Sequence, residues 1–290
     1  MKYLGVIGDP NKRSLSPVFQ QAAIDALGLE IVYERWPTPP DGLETRVEGL
    51  RAPHVIGANV TIPHKQAVVP MLDETDALVA KVGAVNTIIN RDGRLFGLNT
   101  DVEGFLRGLR EDGGMDPAGV RAVVAGAGGA ARAVVVALIE AGARSVTVIN
   151  RTYPRASRLV EEMSPQAREA ELHALPDIYL SWQDSLARAD LLVNCTPAGQ
   201  ASASAGDAAE EESPVPFDAM HSGLLVYDLV YVPADTPLMK AASERGARVM
   251  GGLPMLIYQG AASLKLWTGR EAPVDIMLKA AREALGLEAA

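Results

Sequence analysis

Val120-Arg121-Ala122-Val123-Val124-Ala125-Gly126-Ala127-Gly128-Gly129-Ala130-Ala131-Arg132 decides how this chain folds. Val120–Ala125 is a short apolar run of strand type, Gly126-x-Gly128-x-x-Ala131 follows at once, and Ala130–Ala141 has helical character. A glycine pattern alone is a weak signal. Strand, glycine turn and helix in that order make a dinucleotide-binding fingerprint. Gly126 permits the tight turn, Gly128 lets backbone approach a pyrophosphate, and Ala131 keeps the helix close to the strand. Unpaired N–H groups and the positive dipole end of the helix complete the cradle. Gly126, Ala127, Gly128, Gly129 and Ala130 are therefore candidate cofactor contacts. The fingerprint lies in mid-chain, so a whole domain precedes it.

At 290 residues the chain has room for two domains of ordinary size. Its 48% hydrophobic and 22% charged residues suit a globular protein with a real core. A net charge of −9 argues against nucleic acid or an anionic membrane face as partner. No apolar run is long enough for a transmembrane helix, and Met1-Lys2 leads straight into a strand without a signal peptide. The single Cys195 excludes an internal disulfide and fits a reducing, cytoplasmic setting. His54, His64, His173 and His221 lack metal-binding spacing, so no metal is expected.

Strands and helices alternate throughout. Tyr3–Gly8, Ile31–Trp36 and Val55–Val60 read as strands, and Ser16–Leu27 as a helix with Pro17 at its first position. A helix is expected within 41–50 and another over 64–82. Asn86–Asn90 and Arg94–Leu98 flank Asp92-Gly93 as a hairpin, and a helix runs from Thr100-Asp101 to about Glu111. Beyond the fingerprint, Ser145–Ile149, Leu191–Asn194 and Leu224–Leu229 are short, apolar strands of the fully buried kind, with helices between. They predict a doubly wound parallel sheet. Residues 199–216, rich in Ala, Ser, Gly and Glu, read as a surface loop. Arg248–Met250 is a last strand, followed by helices from Leu253 to about Trp267 and from Pro273 onward.

The end of the second nucleotide-domain strand selects the cofactor. NAD users carry an acid there for the ribose 2′-hydroxyl, whereas an Arg accommodates the 2′-phosphate of NADP. Here the strand ends in Asn150-Arg151-Thr152, with Arg155 one helical turn on and no acid. Arg151 can stack on adenine and pair with phosphate. Cations at a helix start oppose its dipole, which weighs against a merely solvated Arg pair. NADP is expected.

In the front domain, polar residues gather where strands end. Asn59-Val60-Thr61-Ile62-Pro63-His64-Lys65 closes one strand, Gly83–Thr87 opens another at Asn86, and Asn99-Thr100-Asp101 marks the next strand-to-helix turn. Open α/β sheets bind ligands beyond the carboxyl ends of their strands, so Lys65 and Asp101 could meet in one crevice. Spacing alone leaves open the alternative of a helix-capping Asp101 and a solvated Lys65.

These segments, together with Ser14-Leu15-Ser16-Pro17, Asn194-Cys195-Thr196-Pro197, Tyr227–Pro233, Thr236-Pro237-Leu238 and Met255–Ala261, resemble the shikimate dehydrogenase family over almost the full length. The resemblance implies reversible NADPH-dependent reduction of 3-dehydroshikimate to shikimate, in aromatic amino acid biosynthesis. It implies Lys65 and Asp101 as the catalytic pair. Ser14 and Ser16, helped by Tyr231, would hold the carboxylate, and Asn59, Thr61, Asn86 and Gln259 the ring hydroxyls. Asn150, Arg151, Thr152, Arg155, Thr196 and Gly252 would join the glycine turn in binding NADP. His64, beside Lys65, receives no role.

Because Gln259 lies behind the nucleotide domain yet belongs by resemblance to the substrate site, the chain should return. The expected architecture is an N-terminal α/β substrate domain (1–101, completed by helices of 255–290) and a Rossmann-type NADP domain (102–254), as monomer or homodimer. Two alternatives are a quinate/shikimate dehydrogenase of the same fold and a non-catalytic NADP-binding regulatory homologue. The absence of an acid at Arg151 disfavours the first, and the presence of both Lys65 and Asp101 disfavours the second. A methylene-tetrahydrofolate dehydrogenase would give the Ser14/Ser16 and Gln259 sets no purpose.

Overall fold

The computed structural model describes residues 1–9, 14–167, 169–200, 213 and 215–287. Most of the 199–216 segment, read as a surface loop, lies outside the described residues. The chain divides into two compact units, Met1–Gly104 with Leu256–Ala290, and Phe105–Met255.

The first unit opens with β1 (Lys2–Gly8), α1 (Ser16–Ala26), β2 (Ile31–Pro37), α2 (Leu43–Gly49) and β3 (Val55–Val60). A two-residue β4 (Glu74–Thr75), α3 (Ala77–Val82), β5 (Thr87–Arg91) and β6 (Arg94–Leu98) follow, and α4 (Asp101–Glu111) leads out of it. The sheet order is β2-β1-β3-β5-β6-β4. β1 runs parallel to β2 and β3, whereas β5 pairs antiparallel with both β3 and β6, so this sheet is mixed. Ile7, Ala58, Val60, Val85, Ile88 and Leu95 point inward to form its core.

One expectation fails in this unit. Residues 64–82 are not one helix: a turn over 65–68, a 3-10 segment Val69–Met71 and β4 precede a short α3. The apolar spacing of Val68, Val69, Met71 and Leu72 imitates a helix, but Pro70 lacks the donor that a helix interior requires. Asp76 then starts α3 afresh, its side chain accepting from the Val79 N–H at 2.7 Å. Lys65 thus sits in a turn rather than in the first turn of a helix.

The second unit contains β7 (Arg121–Ala125), α5 (Gly129–Glu140), β8 (Ser145–Asn150), α6 (Tyr153–Met163), β9 (Glu171–Pro176), α7 (Tyr179–Leu186), β10 (Leu191–Asn194), β11 (Leu225–Asp228), α8 (Pro237–Glu244) and β12 (Arg248–Met250). Every pairing is parallel, in the order β9-β8-β7-β10-β11-β12. Counted along the chain this is 3-2-1-4-5-6, the doubly wound dinucleotide order, with its switch point between β7 and β10. α5 buries Ala131 and Ala133–Ile139 almost without interruption, as expected of a helix packed on a central strand. β9 is not among the strands that apolar runs predict. As an edge strand it alternates exposed and half-buried residues and lacks the apolar run of its neighbours.

The chain then returns to the first unit through α9 (Leu253–Thr268) and α10 (Val274–Ala284). Gln20 of α1 donates to the Gly260 carbonyl at 2.9 Å, and Trp267 donates to the Ile88 carbonyl at 2.9 Å. These bonds tie the late helices to the early sheet.

Candidate active site

Beyond the carboxyl end of β3, the turn that follows Pro63 presents Lys65. Its backbone is held there because the Val85 N–H donates to the Lys65 carbonyl at 2.7 Å. The start of α4 presents Asp101, whose own N–H donates to Asn99 Oδ1 at 3.0 Å. Lys65 Nζ donates to Asp101 Oδ2 at 2.6 Å, and the side chains are 16% and 3% exposed. Asp101 is therefore buried by its surroundings while the Lys65 side chain stays partly exposed. The helix-cap and surface-cation alternatives do not describe this pair: Lys65 is ion-paired and mostly covered, and the Asp101 carboxylate faces Lys65 and Asn86.

Asn86 Nδ2 lies 2.9 Å from Asp101 Oδ1, 3.1 Å from Gln259 Oε1 and 2.8 Å from Thr100 Oγ1. Its Oδ1 accepts from the Thr100 N–H at 2.8 Å. Asn59 is likewise engaged: Oδ1 accepts from Tyr33 OH at 2.7 Å, and Nδ2 donates to the Asn86 carbonyl and to Ser263 Oγ, each at 3.1 Å. Burial pushes the Tyr33 hydroxyl well above the ordinary tyrosine range, opposed by a hydrogen bond with Ser16. Ser14 Oγ accepts from the Ser16 N–H at 3.3 Å. The structure thus brings Lys65, Asp101, Asn59, Asn86 and Gln259 into one bonded cluster, with Ser16 joined to it through Tyr33. Thr61, half-buried, follows β3 on the same connection as Lys65.

Tyr33, Thr87, Thr100 and Ser263 belong to this cluster and receive no role from the sequence. Ser263 carries one readable sign, since it stands four residues after Gln259 on the same helical face. His64 also gains a place: its buried ring Nε2 lies 2.7 Å from the Thr38 carbonyl, pinning the Lys65 turn to the end of β2.

In the second unit, Gly126 has φ +106°, and a side chain there would meet Thr196 Cγ2 at 3.1 Å. Gly128 caps α5 with φ −89°, and a Cβ placed on it would enter open space. That space, at the helix start, suits a pyrophosphate. Asn150 Nδ2 donates to the Thr152 carbonyl at 2.9 Å, shaping the turn that exposes Arg151, Thr152 and Arg155. Neither Arg forms an ion pair among the described residues, so both cations are available to a phosphate. The donor set fits NADP.

A further polar cluster closes the strand ends. Asp228 accepts from Asn194 Nδ2 at 2.8 Å and the Val230 N–H at 3.1 Å through Oδ1, and from Thr236 Oγ1 at 2.6 Å through Oδ2. Burial raises its carboxyl above the usual range, and these three donors oppose that shift. Asn194 Oδ1 in turn accepts from Thr196 Oγ1 at 2.7 Å, which orients Thr196 beside Gly126. Gly252 packs so tightly on the Leu229 backbone that a Cβ would lie 2.1 Å from the Leu229 carbonyl oxygen. Tyr231 belongs to this unit as well, and burial raises its hydroxyl. Among the described residues no group of three or more His, Cys, Asp or Glu could hold a metal ion, and no helix is long and apolar enough to cross a membrane.

Three family models match this chain. Residues 6–88 match the shikimate dehydrogenase substrate binding domain, 112–226 match shikimate/quinate 5-dehydrogenase, and 252–282 match the shikimate 5′-dehydrogenase C-terminal domain. A shikimate dehydrogenase (NADP(+)) of Moorella thermoacetica is 45% identical, covering 98% of this chain and 93% of that protein. One of Methanopyrus kandleri is 44% identical, covering 97% and 95%. Among solved structures, the shikimate 5-dehydrogenase of Thermus thermophilus in complex with NADP(H) and shikimate superposes with a TM-score of 0.86 at 40% identity, covering 98% of this chain and all of that one.

Proposed function

The chain belongs to the shikimate dehydrogenase family, and from that premise we propose that Lys65 and Asp101 carry its reaction. The protein is an NADP-dependent oxidoreductase that reduces 3-dehydroshikimate to shikimate, reversibly, in the biosynthesis of aromatic amino acids. The observation that supports this assignment of roles is the 2.6 Å Lys65–Asp101 contact, with the second carboxylate oxygen held by Asn86.

Ser14 and Ser16 offer hydroxyl donors to the substrate carboxylate. Asn86 and Gln259 present an amide pair to the ring hydroxyls, and Thr61 adds a hydroxyl. Asn59 keeps one lone pair on Oδ1 beyond the Tyr33 bond. Bound NADPH supplies the hydride that reaches the ketone carbon. The ketone oxygen then gains charge and needs a proton, and Lys65 both stabilises that oxygen and donates to it. An interaction strengthened in this way at the transition state accelerates the step rather than merely tightening binding. Asp101 keeps the ammonium aimed, and the Lys65 side chain, 16% exposed, is not sealed from solvent. In the opposite direction the same lysine receives the hydroxyl proton of shikimate.

The glycine turn Gly126–Ala130, with Thr196 beside it, holds the pyrophosphate. Arg151 and Arg155, on the turn shaped by Asn150 and Thr152, would hold the 2′-phosphate. Gly252 acts by letting the chain pass close to Leu229. The single Cys195 and the biosynthetic role fit the cytoplasm, and the active form is a monomer or homodimer.

The test is NADPH consumption with 3-dehydroshikimate by wild type and by Lys65→Ala. A grid adds quinate against shikimate and NAD against NADP. Shikimate with NADP should give the highest kcat/KM. Absence of turnover in the wild type, or equal turnover in the variant, would overturn these roles.

A further inference from the structure

We propose that Ser263 is a positioning residue that fixes the Asn86 and Gln259 amides through a closed ring of three hydroxyls. The inference rests on the substrate-binding roles proposed above. Ser263 Oγ has four neighbours at hydrogen-bonding distance. They are the Gln259 carbonyl at 2.9 Å, Thr87 Oγ1 at 2.8 Å, Thr100 Oγ1 at 3.1 Å and Asn59 Nδ2 at 3.1 Å. Thr87 and Thr100 approach each other at 3.3 Å, so the three oxygens close a triangle. Ser263 and Thr87 are fully buried, with Thr100 and Asn59 nearly so.

A hydroxyl donates once and accepts twice, and the proton count closes on that rule. Ser263 donates to the Gln259 carbonyl one turn back. Its two lone pairs receive Asn59 N–H and one threonine hydroxyl. The other threonine hydroxyl goes to Asn86 Oδ1, which Thr87 and Thr100 reach at 3.0 and 3.2 Å. That side of Asn86 already accepts the Thr100 N–H. The oxygen of the amide must therefore face the Thr100 N–H and the Thr87 hydroxyl, and its NH2 must face Asp101, Gln259 and Thr100 Oγ1, which lies 2.8 Å from it. A reversed amide would set donor against donor on one side and oxygen against a carboxylate on the other.

Ser263 is the member of the triangle that α9 contributes, and it joins β3, β5 and the start of α4 to the helix bearing Gln259. Without its oxygen, an Asn59 N–H and a threonine hydroxyl lose their acceptor in a site closed to water. The threonine hydroxyls then turn, and the Asn86 and Gln259 amides lose their single orientation.

The experiment uses the full-length chain, in Ser263→Ala and in Ser263→Cys, which keeps nearly the same volume with a far poorer acceptor. Shikimate binding without cofactor is measured by calorimetry, and KM is measured separately for shikimate and NADP. The expected result is a rise of about tenfold in shikimate Kd and KM, from the lost hydrogen bonds, with the NADP KM unchanged. If Ser263→Ala does not fold, Ser263→Cys carries the test. A shikimate Kd within twofold of wild type would overturn the proposal. So would shikimate and NADP KM values rising together with a falling Tm, since that pattern marks a purely structural serine. Failure of the wild type to bind or turn over shikimate would instead overturn the functional reading.

Discussion

Lys65 reaches one oxygen of Asp101 and leaves the other to a neutral group: Nζ lies 2.6 Å from Oδ2, while Oδ1 accepts from Asn86 at 2.9 Å. The carboxylate is thus fixed from both sides, and the ammonium is aimed rather than merely paired. Replacing Lys65 by Met removes the proton donor and should lower kcat for 3-dehydroshikimate reduction by about 10²–10⁴-fold. The KM for NADPH should hardly change. Asp101→Asn, which keeps a side chain of the same shape, should fall less far. Steady-state kinetics on both variants check this.

Gly126 and Gly128 should respond in opposite ways to the same substitution. Gly126→Ala forces a side chain into φ +106° and against Thr196, so Tm should drop. Gly128→Ala has an ordinary backbone conformation and open space for its methyl, so Tm should hold. The methyl would nevertheless occupy the approach of the pyrophosphate, and NADP Kd should rise about tenfold or more, equivalent to roughly 1.4 kcal/mol. Thermal melts with and without NADP separate the two.

Removing the Arg151 cation should discriminate between cofactors. On the role proposed for Arg151, Arg151→Ala should lose a charge-assisted contact to the 2′-phosphate, of about 1.5–3 kcal/mol. The NADP KM should rise at least tenfold while activity with NAD stays close to wild type. Equal losses with both cofactors would place Arg151 on the shared part of the dinucleotide.

Asp228 is surrounded by donors, so its charge-neutral analogue should fit badly. Asp228→Asn can keep its oxygen toward Asn194 and Val230 only by turning an NH2 to Thr236, whose hydroxyl must then give up its own donation, and should destabilise the second unit by about 1–3 kcal/mol. Denaturant unfolding, with m compared to confirm an unchanged transition, measures it.

Glu162 gives a pH signature. Its carboxyl is lowered first by the Arg158 bond and then by Arg132, which also ties α5 to α6. A carboxyl lowered in the fold contributes stability above its unfolded value, and that contribution disappears as pH falls through the lowered value. The Tm gap between wild type and Glu162→Gln should be steady near neutrality and close in the acid range below about pH 4.3. A gap that persists there would mean the glutamate acts by packing rather than by charge.

Much of this architecture is legible in the sequence because local rules produce it. The β7 strand, the Gly126 turn and α5 need only neighbouring residues to specify them, and so does the Asp92-Gly93 hairpin between β5 and β6. The 64–82 segment misleads because its apolar spacing masks the breaks at Pro70 and Asp76. β9 escapes notice because an edge strand is not obliged to be apolar. The pair proposed as catalytic is partly visible by its place at strand ends, whereas Tyr33 and Ser263 are not. Their meaning lies in partners distant along the chain, and no local pattern encodes a triangle of hydroxyls drawn from three segments. The role of His64 is a bond to the Thr38 backbone, which a sequence does not display.

The bond between Asn59 and Ser263 spans 204 residues, and this has a consequence for synthesis. Domains ordinarily fold in the order in which they leave the ribosome. Here the first segment emerges with its buried Asn59, Thr87 and Thr100 still lacking the serine that satisfies them. The nucleotide unit, Phe105–Met255, is contiguous and can finish first. The part of the protein made earliest is thus completed last, because Ser263 and the helix that carries it are synthesised after the whole nucleotide unit.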